Sequence, residues 1–224
     1  VKIALQTAVA SVLGIGAFVL LLFVPAGTLN WWQGWTFIAV FTLATLVPSG
    51  YLARRDPDAL KRRMKAGPTN ETRPVQRVVI AVCFLLIPGM LVIAGLDHRF
   101  GWSMVPVPIV IVGDVLVAAG LVLAQWVVIQ NSYAAATIIV EREQPLVDAG
   151  LYGMVRHPLY VGALIMMVGS PLALGSLWAL VVLVPGFVAL AVRIVDEEQM
   201  LTEQLPGYDE YTQKVPYRLV PHVW

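Results

Sequence analysis

The sequence predicts an all-α fold, a polytopic bundle of about six membrane-spanning helices. Three observations carry that reading. Of 224 residues, 58% are hydrophobic and 13% charged, where a soluble domain carries about 25% charge. Mean hydropathy is +0.78. Apolar runs recur at the length a helix needs to cross a hydrocarbon core of about 30 Å. A disordered chain and a soluble Rossmann enzyme are excluded on composition. Cys83 is the only cysteine and lies inside an apolar run, which excludes a disulfide framework and a thiolate metal site. With three scattered histidines no metal is expected, and no nucleic-acid partner either.

The first span runs from Ile3 to Val24. It exceeds the roughly 7–15 residues of a signal-peptide core and reads as a retained helix. Pro25 to Gly34 form a turn, with Trp31, Trp32 and Trp35 where an interfacial aromatic belt lies. Further spans are expected from Trp35 to Leu52, Val78 to Leu96 and Val105 to Ile129. Pro158 to Ala173 is short for a span, hence tilted or partly crossing. Leu174-Gly175-Ser176 makes a tight turn, and Leu177 to about Arg193 is apolar again. The count is six, with five plus a re-entrant hairpin as the alternative. No repeat or linker divides the chain, so residues 1–224 read as one domain. Helices one to four occupy 1–130, and the polar, chemistry-bearing region is 131–224.

Charge sets the orientation. Between Leu52 and Arg77 stand Arg54, Arg55, Lys61, Arg62, Arg63, Lys65, Arg73 and Arg77, more than half of the 15 basic residues. By the positive-inside rule this loop faces the cytoplasm. Six spans then put both termini, 130–157 and 194–224 on the same cytoplasmic face, with the 25–34 and 97–104 turns outside. The basic cluster has two readings, a topology signal or, at Lys61 to Lys65, an additional contact with anionic membrane lipid.

Polar information concentrates in two places. Arg156-His157-Pro158-Leu159-Tyr160-Val161-Gly162 leads from a turn straight into an apolar helix. Proline suits the first helical position, so Pro158 starts that helix. A helix N-terminus offers free N–H groups and partial positive charge to a carboxylate or phosphate. Gly162 and Ala163 leave room for a ligand or a helix to come close. The second cluster is Arg193-Ile194-Val195-Asp196-Glu197-Glu198, directly after an apolar span. There Arg193 and Glu197 are i,i+4 neighbours, either an exposed ion pair or functional groups beside the hydrocarbon.

Gly-x-Tyr-x-x-x-Arg-His-Pro-x-Tyr-x-Gly from Gly150, then Arg-x-x-x-Glu-Glu-x-x-Leu from Arg193 and Tyr-x-x-x-Val-Pro from Tyr211 form one combined pattern. It resembles the isoprenylcysteine carboxyl methyltransferases and the related integral-membrane phospholipid methyltransferases. The resemblance covers roughly residues 131–221, with Ile138 to Glu143 aligning poorly. It implies S-adenosylmethionine as cofactor, without a Rossmann domain. The implied cofactor contacts are Gln144, Pro145, Leu146, Val147, Tyr152, His157, Pro158, Leu159, Tyr160 and Glu197. The candidate catalytic residues are Arg193, on the acceptor side, and Glu198. The charges suit this: donors at His157 and the Pro158 helix for a carboxylate, Glu197 and tyrosine faces for the ammonium and sulfonium. The acceptor is a lipophilic small molecule, a prenylated protein or a lipid.

Two other classes compete. Membrane sterol-type reductases, which bind NADPH, share the Arg-His-Pro-x-Tyr turn and a tail like Val215-Pro216-Tyr217-Arg218, but usually carry Asn where Leu159 stands. A transporter or non-catalytic partner is favoured only by Asp114 within the fourth span, which also reads as a helix-to-helix hydrogen bond.

In a Cys83-free background, Ser132→Cys and Thr212→Cys should react with an impermeant thiol reagent only after cells are permeabilised. Labelling of intact cells would invert the topology.

Overall fold

The computed structural model describes residues 2–64, 69, 71, 73–134 and 144–224, with backbone alone for 2–8, 63 and 64. Lys65 and Ile138 to Glu143 lie outside the described residues. All regular structure within them is helical. The long helices are α1 (Lys2–Ala26), α2 (Trp32–Arg55), α4 (Pro74–Phe100), α5 (Val107–Gln130) and α7 (Leu183–Gln204). Three shorter ones are α3 (Pro57–Met64), α6 (Pro158–Ala173) and α8 (Tyr208–Lys214). Among the described residues, five helical stretches are long and apolar enough to cross a membrane, the fifth being Trp178–Gln204, where a 3₁₀ turn leads into α7. The chain is an integral membrane protein.

The helix ends follow local chemistry. Pro74 and Pro158 each occupy the first turn of their helix, where a missing N–H costs nothing. Gly27 and Gly101 take left-handed φ of 68° and 64° just past α1 and α4. Their N–H groups donate back to Phe23 O and Asp97 O, closing each last turn.

At 16 residues, α6 is only about 24 Å long at 1.5 Å per residue, short of the hydrocarbon thickness. It nevertheless reaches the opposite end of the bundle. The turn after it seats on the α4–α5 turn, where Ser176 Oγ donates to Asp97 Oδ2 at 2.5 Å and Leu177 N–H donates to Ser103 Oγ at 3.0 Å. Asp97, 1% exposed, also accepts from the N–H and hydroxyl of Ser103 at 2.7 and 2.6 Å. The same end holds the α1–α2 turn. There Trp31 departs from the expected aromatic belt. It is 1% exposed, stacked 4.7 Å from His98 and edge-on to Phe23. Trp32 and Trp35 remain outside at 46% and 45%. The face of His98 and the edge of Phe23 give the Trp31 ring aromatic partners inside the bundle.

Glycines draw α5 and α6 together, backbone on backbone. A Cβ on Gly120 would stand 2.5 Å from Gly162 O and from Met166 N, and one on Gly169 2.8 Å from Gly113 O. One on Gly113 would collide with Ala173 N. Each helix thus carries two glycines seven residues apart on the facing side, the small-residue packing that lets helices associate where no water is expelled. Of the two readings of Gly162, the close approach of a helix is the one realised. Asp114, next to Gly113, is 8% exposed, and its Oδ1 has no hydrogen-bond partner among the described residues.

At the other end, α3 lays Ala59 and Leu60 against Leu52 and Val128, with Ala134 and Leu159 alongside. Asp56 Oδ1 accepts the Ala59 N–H at 2.9 Å, capping its start. Arg62 lies 4.8 Å above the Tyr133 ring and donates to Ser132 O at 3.4 Å. Lys61 pairs with exposed Asp58 at 2.7 Å. The basic segment is therefore packed onto residues 131–134.

Gly120→Val should force α5 from α6 and cost about 1–3 kcal/mol or more, read as a fall in the thermal midpoint of the detergent-solubilised protein. Gly89→Ala, where a Cβ meets nothing within 4 Å, should leave the midpoint unchanged.

Candidate active site

Between α5 and α6 the chain turns on Gly150, at φ 63°. Its close neighbour Gln130 accepts the Leu151 N–H at 3.2 Å. After a single 3₁₀ turn, Arg156 and His157 run alongside the C-terminal tail. Their N–H groups donate to Tyr217 O and Arg218 O at 2.9 and 3.0 Å. Pro158 then starts α6. This holds the Arg-His-Pro turn between two neighbours, the end of α7 on one side and the tail on the other.

A single cavity opens at this turn. Residues 144–147, Tyr152, the 157–160 turn and Glu197 all line it. All ten residues that the motif pattern assigns to the cofactor thus converge. Arg193 and Glu198 are not in the lining. Residues that the motif reading did not assign also form walls, among them Asn131, Tyr133, Met200, Leu205, Tyr208 and Tyr211. Met200 was legible as the i+3 neighbour of Glu197 on the same helix face, and Tyr211 stood in the Tyr-x-x-x-Val-Pro pattern without a role. Nothing local marks Tyr208.

Arg193 and Glu197 meet at a third group. Arg193 Nε donates to Tyr160 Oη at 2.8 Å, and Tyr160 Oη donates to Glu197 Oε2 at 2.6 Å. This removes the exposed ion pair as an explanation, since Arg193 is 6% exposed. The rest of its guanidinium faces the bundle. Arg193 Nη1 donates to Gln76 Oε1 at 2.8 Å and to Glu71 Oε1 at 3.2 Å. Glu71 is 2% exposed and Gln76 fully buried. Gln76 Nε2 in turn donates to Asp196 Oδ2, which Arg73 grips with two nitrogens at 2.7–3.0 Å. A buried charge persists only when paired and hydrogen-bonded, and these residues satisfy one another across 120 positions of sequence.

Glu198 is a clamp. Its Oε1 lies 3.1 Å from His157 Nε2 and 2.8 Å from Arg156 Nε, while Oε2 accepts from Arg218 Nε at 2.8 Å. The His157 ring, expected to serve a ligand carboxylate, is thereby tied to α7.

The tyrosines stay neutral. Burial pushes Tyr152 up to about 12, against the opposing hydrogen bond from Asn131. Burial likewise raises Tyr211, and it raises Tyr208 with the Glu198 carboxylate adding to the effect. Among the described residues the cavity therefore offers phenol rings, aliphatic walls, the Arg156 and His157 side chains held by Glu198, and one carboxylate, that of Glu197. Such a surface suits a flat heterocycle joined to a cationic centre.

Residues 108–207 match the phospholipid methyltransferase family, the second of the two groups that the motifs resemble. The match runs from the start of α5 to Gly207 and takes in the whole lining except Tyr208 and Tyr211. Glu71, Arg73, Gln76 and Arg218 fall outside it. A Delta(14)-sterol reductase of mouse (Mus musculus) is 36% identical over 95 residues, 39% of this chain. The chain spans only 22% of that relative's length.

Glu198→Ala should strip the partner from Arg156 and Arg218 and cost about 3–5 kcal/mol, as removing one side of a buried pair does. Thermal unfolding in detergent measures it. A loss below about 1 kcal/mol would mean that the clamp is not what holds the turn.

Proposed function

We propose that this chain is an integral-membrane S-adenosylmethionine-dependent methyltransferase acting on a lipophilic acceptor, with its site on the cytoplasmic face. One observation carries the reading. The residues that the motif pattern assigns to the cofactor, drawn from four separate stretches of sequence, line a single cavity. The phospholipid methyltransferase match over 108–207 supports the same activity and a lipid acceptor.

The residues present fit that cofactor. Residues 144–147 and Tyr152 would receive the nucleoside, and the carboxylate of Glu197 would face the cationic centre. When bound, S-adenosylmethionine supplies the methyl group and its own leaving group. The protein's part is to position and to exclude water. Tyr160 holds the Glu197 carboxylate in one orientation, and Arg193 holds Tyr160. Arg193 would also stand on the acceptor side, with its charge balanced by Glu71 while no acceptor is present.

The reductase similarity supports a second reading, an NADPH-dependent membrane reductase. The cavity's charges favour it less. A dinucleotide carries several phosphate charges that need cations. The cationic side chains among the described lining residues, Arg156 and His157, are both engaged by Glu198.

Purified in detergent, the protein should bind S-adenosylhomocysteine and not NADPH by calorimetry. The reverse outcome would establish the reductase reading. Glu197→Ala should weaken S-adenosylhomocysteine at least about tenfold, the value of a charge-assisted contact of 1.4 kcal/mol or more. Arg193→Lys keeps a charge opposite Glu71 but cannot reproduce the guanidinium fork. It should lower turnover with acceptor while costing less affinity than Glu197→Ala.

A further inference from the structure

Tyrosines dominate the cavity, and most of their hydroxyls are engaged within the protein. Tyr152 Oη accepts from Asn131 Nδ2 at 3.2 Å, Tyr160 Oη bridges Arg193 and Glu197, and Tyr211 Oη donates to Tyr152 O at 2.7 Å. Tyr208 differs. It lines the same cavity and is 3% exposed, yet its hydroxyl has no hydrogen-bond partner among the described residues. Native proteins pair the great majority of such groups, because an unmet buried donor is destabilising.

The side chain is not free to turn to water. Gly207, at φ 83°, ends the loop after α7 so that Tyr208 opens α8. Its ring then packs among Leu205, Tyr211, Val215 and Leu146. Burial raises its pKa and the Glu198 carboxylate adds to that, against the opposing charge of Arg156, so it remains a donor at neutral pH. Arg156 lines the cavity too. Its Nε stands 2.8 Å from Glu198 Oε1 without completing a hydrogen bond. Two parts of the lining thus differ: Tyr208 offers a neutral donor that no described protein group takes up, and Glu197 offers a carboxylate. An α-amino acid carries a carboxylate and an ammonium side by side, which is the complement of those two parts.

We propose that the Tyr208 hydroxyl donates a hydrogen bond to the carboxylate of the cofactor's amino-acid tail. This rests on the methyltransferase reading. It assigns the carboxylate to α8 in place of His157, whose ring Glu198 already holds. Tyr208 stands just past the family match.

The test uses the full chain in detergent and two probes, S-adenosylhomocysteine and 5′-methylthioadenosine, which keeps the nucleoside and thioether but lacks the amino-acid tail. Tyr208→Phe should weaken S-adenosylhomocysteine about tenfold or more and leave methylthioadenosine binding unchanged. The thermal midpoint of the ligand-free variant should equal or exceed the parent's, because an unpaired buried hydroxyl has been removed. Tyr211→Phe, which deletes an engaged hydroxyl, should lower its midpoint. Parental S-adenosylhomocysteine affinity in Tyr208→Phe, or equal losses for both probes, would overturn the proposal and leave the methyltransferase reading standing. A parent that binds neither probe would overturn both.

Discussion

The Glu198 carboxylate receives side chains from two distant parts of the chain, Arg156 and His157 before α6 and Arg218 in the tail. Without it, Arg156 and Arg218 would lose the carboxylate they share, and His157 would keep only Glu197, 4.0 Å away. The geometry of the cavity follows from that pairing. Successive residues on an α-helix point about 100° apart, so when Glu198 faces the turn and the tail, Glu197 faces Tyr160 and the cavity. One step back, Asp196 and Arg193 face α4. The end of α7 is a polar post with three working sides, and each side secures a different segment.

The side facing α4 explains why the N-terminal half matters to a site whose motifs all lie in the C-terminal half. Glu71, Arg73 and Gln76 are outside the family match, yet they hold Arg193 and Asp196 in place. Arg193 holds Tyr160, and Tyr160 holds Glu197. A guanidinium at this depth cannot stand unpaired, so the position of the cavity's carboxylate is set by a chain of contacts that begins before α4. The α5–α6 glycine seam does the equivalent work for the backbone. It brings the start of α6 against α5, so that Asn131 and Tyr152 close the cavity from that side.

Much of this was legible in the residues. Span positions came from apolar length, because a bilayer imposes one dimension on every crossing helix. Pro158 marked the start of α6 through its missing N–H. The motif residues, read together, named the lining from Gln144 to Glu197. Other features were legible only as possibilities. Gly162 was a close approach to something, and the partner became known only with α5 beside it. Trp31 looked like its neighbours Trp32 and Trp35, and only the place of His98 separates them.

The sequence by itself determined the helices, their ends and the motif residues that line the cavity, since each of these depends on a few neighbouring positions and on the solvent they meet. The tertiary structure alone decided the pairings: Arg193 with Glu71, Asp196 with Arg73, Glu198 with Arg218, and the Tyr208 hydroxyl with no partner among the described residues. Those depend on how each helix is rotated about its axis against another. That rotation is chosen by the sum of packing and buried charge over the whole bundle, which no local stretch of sequence contains.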